Sequence, residues 1–261
     1  MRFDARAVSL VTYFAILLFN VYILDLYFDQ QLTLYTHPRY ALFTAIFNAI
    51  SLLACGVGFV LTAWRMSKAP PGKVSSGSGA FADRVSWRPT FAVLVAGLVF
   101  VSAYALPART LSSDAAEQRS DNFNSAQVQP SGSGTGNTLA LFGADTTRLT
   151  IPDWVSAFNL KTAASFYEGK KVDVVGFVFH PKSVPRDVFY VSRFKITCCS
   201  VDARPLGLPV YSPGWQEKFD EDSWVHVTGS FTGTDQDIAE PAIIDPQSID
   251  PTAQPANPYV T

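Results

Sequence analysis

Three long stretches without a charged residue dominate the first 108 residues of this 261-residue chain: Ala7–Leu24 (18 residues), Tyr40–Trp64 (25) and Pro89–Ala108 (20). At about 1.5 Å of rise per residue, each is long enough as a helix to approach or cross a hydrocarbon core of about 30 Å. A core helix of a soluble protein imitates one such run, but three in succession predict a membrane region of three transmembrane helices, 7–24, 40–64 and 89–108. Tyr22, Tyr27, Phe28, Tyr35, Tyr40 and Trp64 gather near the ends of the runs, where amphipathic rings prefer the headgroup layer.

Basic residues orient the region. Arg2 and Arg6 precede the first run, and Arg65, Lys68, Lys73, Arg84 and Arg88 follow the second, whereas the loop between them has only Arg39. The positive-inside rule then places the amino terminus and the second connection in the cytoplasm. Three crossings of a cell (inner) membrane carry everything after Ala108 to the extracytoplasmic side. Leu24-Asp25-Leu26 does not resemble a small-residue cleavage site, although Ala103-Tyr104-Ala105 fits one better.

Small residues four apart, Ala45 and Ala49, Ala54 and Gly58, and Ala92 and Ala96, line one face of each helix they occupy and permit close packing. Asn20 and Asn48 are costly facing lipid and are expected to point toward another helix, of this chain or of a partner. The runs contain no Asp, Glu, Lys or Arg, which disfavours an ion path built by this chain alone.

Pro70-Pro71-Gly72 and Ser75–Gly79 mark a solvated loop, and residues 111–138 read as a flexible Ser/Gly-rich linker ending in Ser131-Gly132-Ser133-Gly134-Thr135-Gly136. The segment 139–251 is long enough for one core, with 252–261 as a tail. It opens with a helix capped by Asp153 and carrying Trp154, Val155 and Phe158, with Leu160 to Tyr167 expected to continue it before Gly169. Strands follow at Val172–Phe179, Phe189–Thr197, Leu206–Tyr211, Trp224–Phe231 and Ala242–Ile244, from their β-branched and aromatic content and partial alternation. Gly176 predicts a bend and Pro209 an edge position. Five short, bent strands and one helix predict a mainly-β domain, a partly open barrel of the OB type, with a sandwich as the alternative.

Adjacent Cys198 and Cys199 are the chief chemical candidates. A bond between neighbours closes a strained, labile ring. One or both thiolates with His180, and with Asp202 in addition, would instead suit zinc or copper, although the spacing matches no standard zinc pattern. Against both stands the reading of the cysteines as small buried hydrophobes and of His180 as the end of a strand. Cys55 in the second run reads as packing, His226 as a residue of a solvated strand face, and Glu217–Asp222 as a solvated turn. No established cofactor is implied. No serine elbow or phosphate loop appears, so no enzyme is expected. OB-like sheets stack single strands on aromatics such as Phe177, Phe179, Tyr190, Phe194 and Trp224. Between Asp153 and Asp250, however, 9 Lys/Arg face 14 Asp/Glu, a net of −5, which excludes nucleic acid as the expected partner.

Four segments carry a family likeness: Gly176-Phe177-Val178-Phe179-His180-Pro181, Arg193-Phe194-Lys195-Ile196-Thr197-Cys198-Cys199, Gly207-Leu208-Pro209-Val210 and Trp224–Gly229. Through them the chain resembles a bacterial family of uncharacterised membrane proteins described as subunits of two-component membrane permease complexes. Its most specific part is Arg193-Phe194-x-Ile196-x-Cys198-Cys199, with Gly176, Phe177 and Gly229 beside it. The resemblance implies helices anchored in the lipid bilayer, a linker, a β-rich domain and a larger multi-spanning permease as partner. The expected function is therefore a non-enzymatic accessory subunit whose β domain covers or gates the permease's outer face, the alternative being a membrane-anchored metal-binding or thiol-redox protein.

Overall fold

The computed structural model describes residues 5–68, positions 95, 97, 98, 101, 102 and 105, and residues 109–120, 123–124, 145–160, 163–233 and 236–260. The chain forms two compact units, Met1–Arg109 and Thr110–Thr261.

In the first unit, α1 (Ala5–Phe28) and α2 (Pro38–Ser67) pack against each other. The apolar runs extend as helix to the first residues that stop one. Gln30 turns the chain with φ 60°, and Pro38 opens α2, where a missing N–H costs nothing. His37 caps that start, its Nδ1 accepting the Arg39 amide at 3.0 Å. Among the described residues, the stretches long and apolar enough to span a bilayer are Leu10–Phe28 and Pro38–Arg65, about 28 and 42 Å of helix. Three such helices were expected and two are described. The third run, 89–108, lies outside the described residues except for positions 95, 97, 98, 101, 102 and 105, which are helical.

The second unit is built on a five-stranded barrel. Its strands are β1 (Lys171–Phe179), β2 (Val188–Lys195), β3 (Arg204–Tyr211), β4 (Trp224–Thr232) and β5 (Ile243–Pro251), and a short β6 (Tyr259–Val260) lies parallel to β2. Neighbours run β1-β2-β3-β5-β4 and back to β1. Closure depends on β1 serving two partners: Phe177 pairs with Trp224 of β4 and with Ser192 of β2. Gly176 permits this, since a Cβ there would sit 2.6 Å from the Ser192 carbonyl oxygen. A register shift at Thr228/Gly229 bends β4 against β5, and a Cβ on Gly229 would collide with the Asp245 carbonyl. The seam is β3 against β5, parallel and joined at one pair, Val210↔Ile244, with Pro209 beside it.

Alternation sorts β1 and β2 into two cores. Val172, Val174, Val178, Phe189 and Val191 point into the barrel, where α4 (Ile151–Leu160) closes one end with Trp154 and Phe158 against Phe231. Thr150 caps that helix jointly with Asp153, whose Oδ2 accepts both the Thr150 amide at 2.9 Å and its hydroxyl at 2.6 Å. Phe177, Phe179, Tyr190, Phe194 and Ile196 point outward, yet are buried as well. They are covered from both ends of the unit: by α3 (Ser113–Glu117) with Ala116, by Leu111 and Phe123, and by Tyr259 of β6.

The stretch 111–138, expected to be a tether, thus contributes its first part to the folded unit. The Ser113 hydroxyl bonds Asp222 at 3.1 Å, and the Leu111 amide donates to the Tyr259 hydroxyl at 3.1 Å. Residues 125–138 lie outside the described residues. The tail 252–261 likewise returns to the sheet through β6, and β5 runs on to Pro251, past the expected end at Ile244.

Candidate functional site

Three places hold the chain's chemistry. The first is a pocket of about 540 Å³ on the outer side of the barrel, bounded by the β1–β2 loop, the β4–β5 loop, the end of α4 and the covering segment. Tyr190 reaches it because even-numbered residues of β2 face outward. Glu240 enters from the β4–β5 loop, only 8% exposed, and Asn124 enters from the covering segment. The two Glu240 oxygens are divided between them: Oε2 accepts the Tyr190 hydroxyl at 2.5 Å and Oε1 accepts Asn124 Nδ2 at 2.7 Å. Asn124 is itself fixed by β3, its Oδ1 accepting the Gly207 amide and its Nδ2 donating to the Gly207 carbonyl, both at 2.9 Å. Burial, and then the Glu240 charge and hydrogen bond, push the Tyr190 phenol far above its ordinary range, so it remains a donor at any physiological pH.

None of Tyr190, Glu240 and Asn124 was singled out as a polar site residue. One signal was present: Glu240 is the sole charge in Ile238-Ala239-Glu240-Pro241-Ala242-Ile243-Ile244. A carboxylate in such a run is either out in water or held by donors, and here it is held.

The second place is the turn after β2. Cys198 is exposed and Cys199 half-buried; they are not joined in a disulfide, and their Sγ atoms lie 3.7 Å apart. Asp202 organises the turn, accepting the Thr197 amide at 3.0 Å and the Cys198 amide at 2.7 Å. The Cys198 thiol donates to Asp202 and toward the Cys199 sulfur, and these bonds, which favour the protonated sulfur, raise it to about 11. Burial works against ionisation of Asp202, but the bonds from the Cys198 thiol and the amides of Thr197, Cys198 and Cys199 outweigh it and hold the carboxyl below its ordinary value.

His180 does not join this turn. Phe179 pairs with Tyr190, which puts His180 at the loop end of the β1–β2 hairpin, whereas Cys198 lies eight residues beyond Tyr190, roughly 25 Å of extended chain. There His180 packs on Trp215, and its Nδ1 bonds the Val188 carbonyl at 2.9 Å. Among the described residues no three of His, Cys, Asp and Glu are placed to hold one metal ion. The structure thus does not bring His180 to Cys198 and Cys199, whereas Asp202 stays with the thiols. His226 lies on the outer face of β4, 2.6 Å from Asp173, with Val225 and Val227 buried on the other side.

The third place is the helix pair. Asn48 Nδ2 donates to the Asn20 carbonyl at 2.9 Å, and Asn20 Nδ2 returns to its own helix at the Ile16 carbonyl, 2.7 Å. Gly58 receives the ring of Tyr13, which a Cβ would meet at 3.0 Å. Ala45 is half-buried, while Ala49 and Ala54 are exposed and turned away from α1; Cys55 is half-buried. Ala92 and Ala96 lie outside the described residues. An apolar groove of about 470 Å³ runs beside the two asparagines, lined by Ile16, Phe19, Ile23, Phe43 and Phe47 among others.

Of the motif residues, Phe177 and Phe194 stack at 5.5 Å in the outer core beside Ile196, and Arg193 Nη2 donates to the Asn257 carbonyl at 2.7 Å. Gly176 and Gly229 occupy the two bends already described.

Residues 145–261 match the family model of the DUF1980 C-terminal domain, an uncharacterised family. The match spans α4, the whole barrel and β6, hence Tyr190, Glu240 and both cysteines of the turn, while Phe123 and Asn124 precede it. Comparison with curated proteins and with solved structures gives no match.

Proposed function

We propose that this chain is a non-enzymatic accessory subunit of a two-component membrane permease complex, held in the membrane by its apolar helices, with an OB-like barrel that covers or gates the permease's outer face. The observation that carries this reading is the state of the helix pair. Within the spanning windows only 11% of the first helix and 6% of the second is buried by the rest of the chain. Surface that apolar requires lipid or another protein's helices against it. The groove beside Asn20 and Asn48 supplies a place for a partner helix, since membrane helices associate through close packing and interhelical hydrogen bonds. The strand order, with β3 parallel to β5 and β1 closing the circle, supports the OB-like assignment.

Purifying the tagged full chain in mild detergent from cells that also express the predicted permease is the test. A stoichiometric complex that survives size exclusion is expected, and replacement of Phe43 and Phe47 in the groove by Trp should weaken it at least tenfold. A chain that elutes alone under these conditions overturns the reading.

The alternative, a thiol-redox protein, draws on the 3.7 Å between Cys198 and Cys199. It is the weaker reading, because a thiol raised to about 11 is a poor source of the thiolate that disulfide exchange requires.

A further inference from the structure

The pocket beside Tyr190 holds a carboxylate without a cation. Glu240 is 8% exposed, its two oxygens engage only an amide N–H and a phenol, and among the described residues no lysine or arginine lines the cavity. Among the described lining residues the one other charged side chain is Asp237, also an acid. Four rings are among its lining residues: Phe123, 5.6 Å from Phe179 and 4.9 Å from Tyr190, and Phe158. Burying a carboxylate costs least when it is paired with a positive charge and hydrogen-bonded, and ring faces attract cations. The volume, about 540 Å³, falls within the range of about 300–1,000 Å³ usual for small-molecule sites.

We propose that this pocket binds a small organic cation: a protonated amine that donates to Glu240 while its apolar body lies among Phe123, Phe158 and Phe179. Each Glu240 oxygen has a second lone pair for such a donor, since each accepts one bond within the protein. Phe123 and Asn124 precede the barrel in sequence, so the covering segment completes the site. Occupancy of the pocket is independent of what the helices dock against, and loss of either property leaves the other measurable.

The test titrates the full chain in a non-ionic detergent with three probes of one shape, phenethylammonium, 2-phenylethanol and phenylacetate, followed by saturation-transfer NMR. The ammonium is expected to bind at least tenfold more tightly than the alcohol or the acid. Glu240→Gln, which keeps an acceptor for Tyr190, should remove that preference while leaving the circular dichroism spectrum unchanged. Equal binding of ammonium and alcohol by the wild-type protein, no binding of any probe, or a folded Glu240→Gln protein that binds the ammonium as before would each overturn the proposal. Should the variant fail to fold, the three probes on the wild-type chain decide alone.

Discussion

Asp202 shows how one carboxylate sets the chemistry of a turn. It accepts the amides that begin the turn and the Cys198 thiol, so its charge favours the protonated sulfur. At pH 8 a thiol raised to about 11 is ionised in roughly one molecule in a thousand. Asp202→Asn removes the charge and should lower the thiol toward its usual value. Alkylation of Cys198 by iodoacetamide at pH 8, followed by peptide mass spectrometry, should then quicken about tenfold or more. An unchanged rate would mean that Asp202 does not control the thiol. The pair Cys198-Cys199 stands out in the sequence, but Asp202's hold on it does not, because a side chain closing back over four residues is a matter of turn geometry. Glu240 is harder still to read: its partners Tyr190 and Asn124 are 50 and 116 residues away.

Among elements, the strands were legible to within a few residues at most ends, because pleated strands with one face in the barrel impose a period of two. The exceptions share a cause. The first part of β1 alternates, but Phe177, Val178 and Phe179 are all buried, since the outer face acquires a second cover. That cover comes from Leu111, Ala116 and Phe123, the few apolar anchors of a polar stretch, and from Tyr259; their fit to β1 and β2 is a long-range property with no local period. The same limit separates His180 from Cys198: sequence spacing places both near strand ends, and only the hairpin register shows that the ends are opposite. In the helices, four-residue spacing of small side chains finds the contact of Gly58 with Tyr13 of α1, but its Ala49 and Ala54 are exposed, and Asn48 also marks the face turned to α1. Asn48→Leu deletes the bond to the Asn20 carbonyl and should destabilise the hairpin by about 0.5–1.5 kcal/mol. A lower melting temperature of the helical signal in detergent would show it; an unchanged one would reduce the latch to incidental contact.

For the whole molecule, what matters is the count of crossings. Helices α1 and α2 pack as one hairpin, and in the proposed topology both cross the bilayer, which would return the chain after Ser67 to the side from which it entered. By the positive-inside rule the basic residues at 65–88 would put that side in the cytoplasm. The run 89–108 must then cross once more if the barrel, with its amine pocket and its pair of thiols, is to meet the outer face of a permease. Fusing alkaline phosphatase, and in parallel a fluorescent protein that matures only in the cytoplasm, after Thr261 of the full chain measures that crossing directly. An active phosphatase with a dark fluorescent fusion is the predicted result, and an inactive phosphatase with a bright fluorescent fusion would contradict the account.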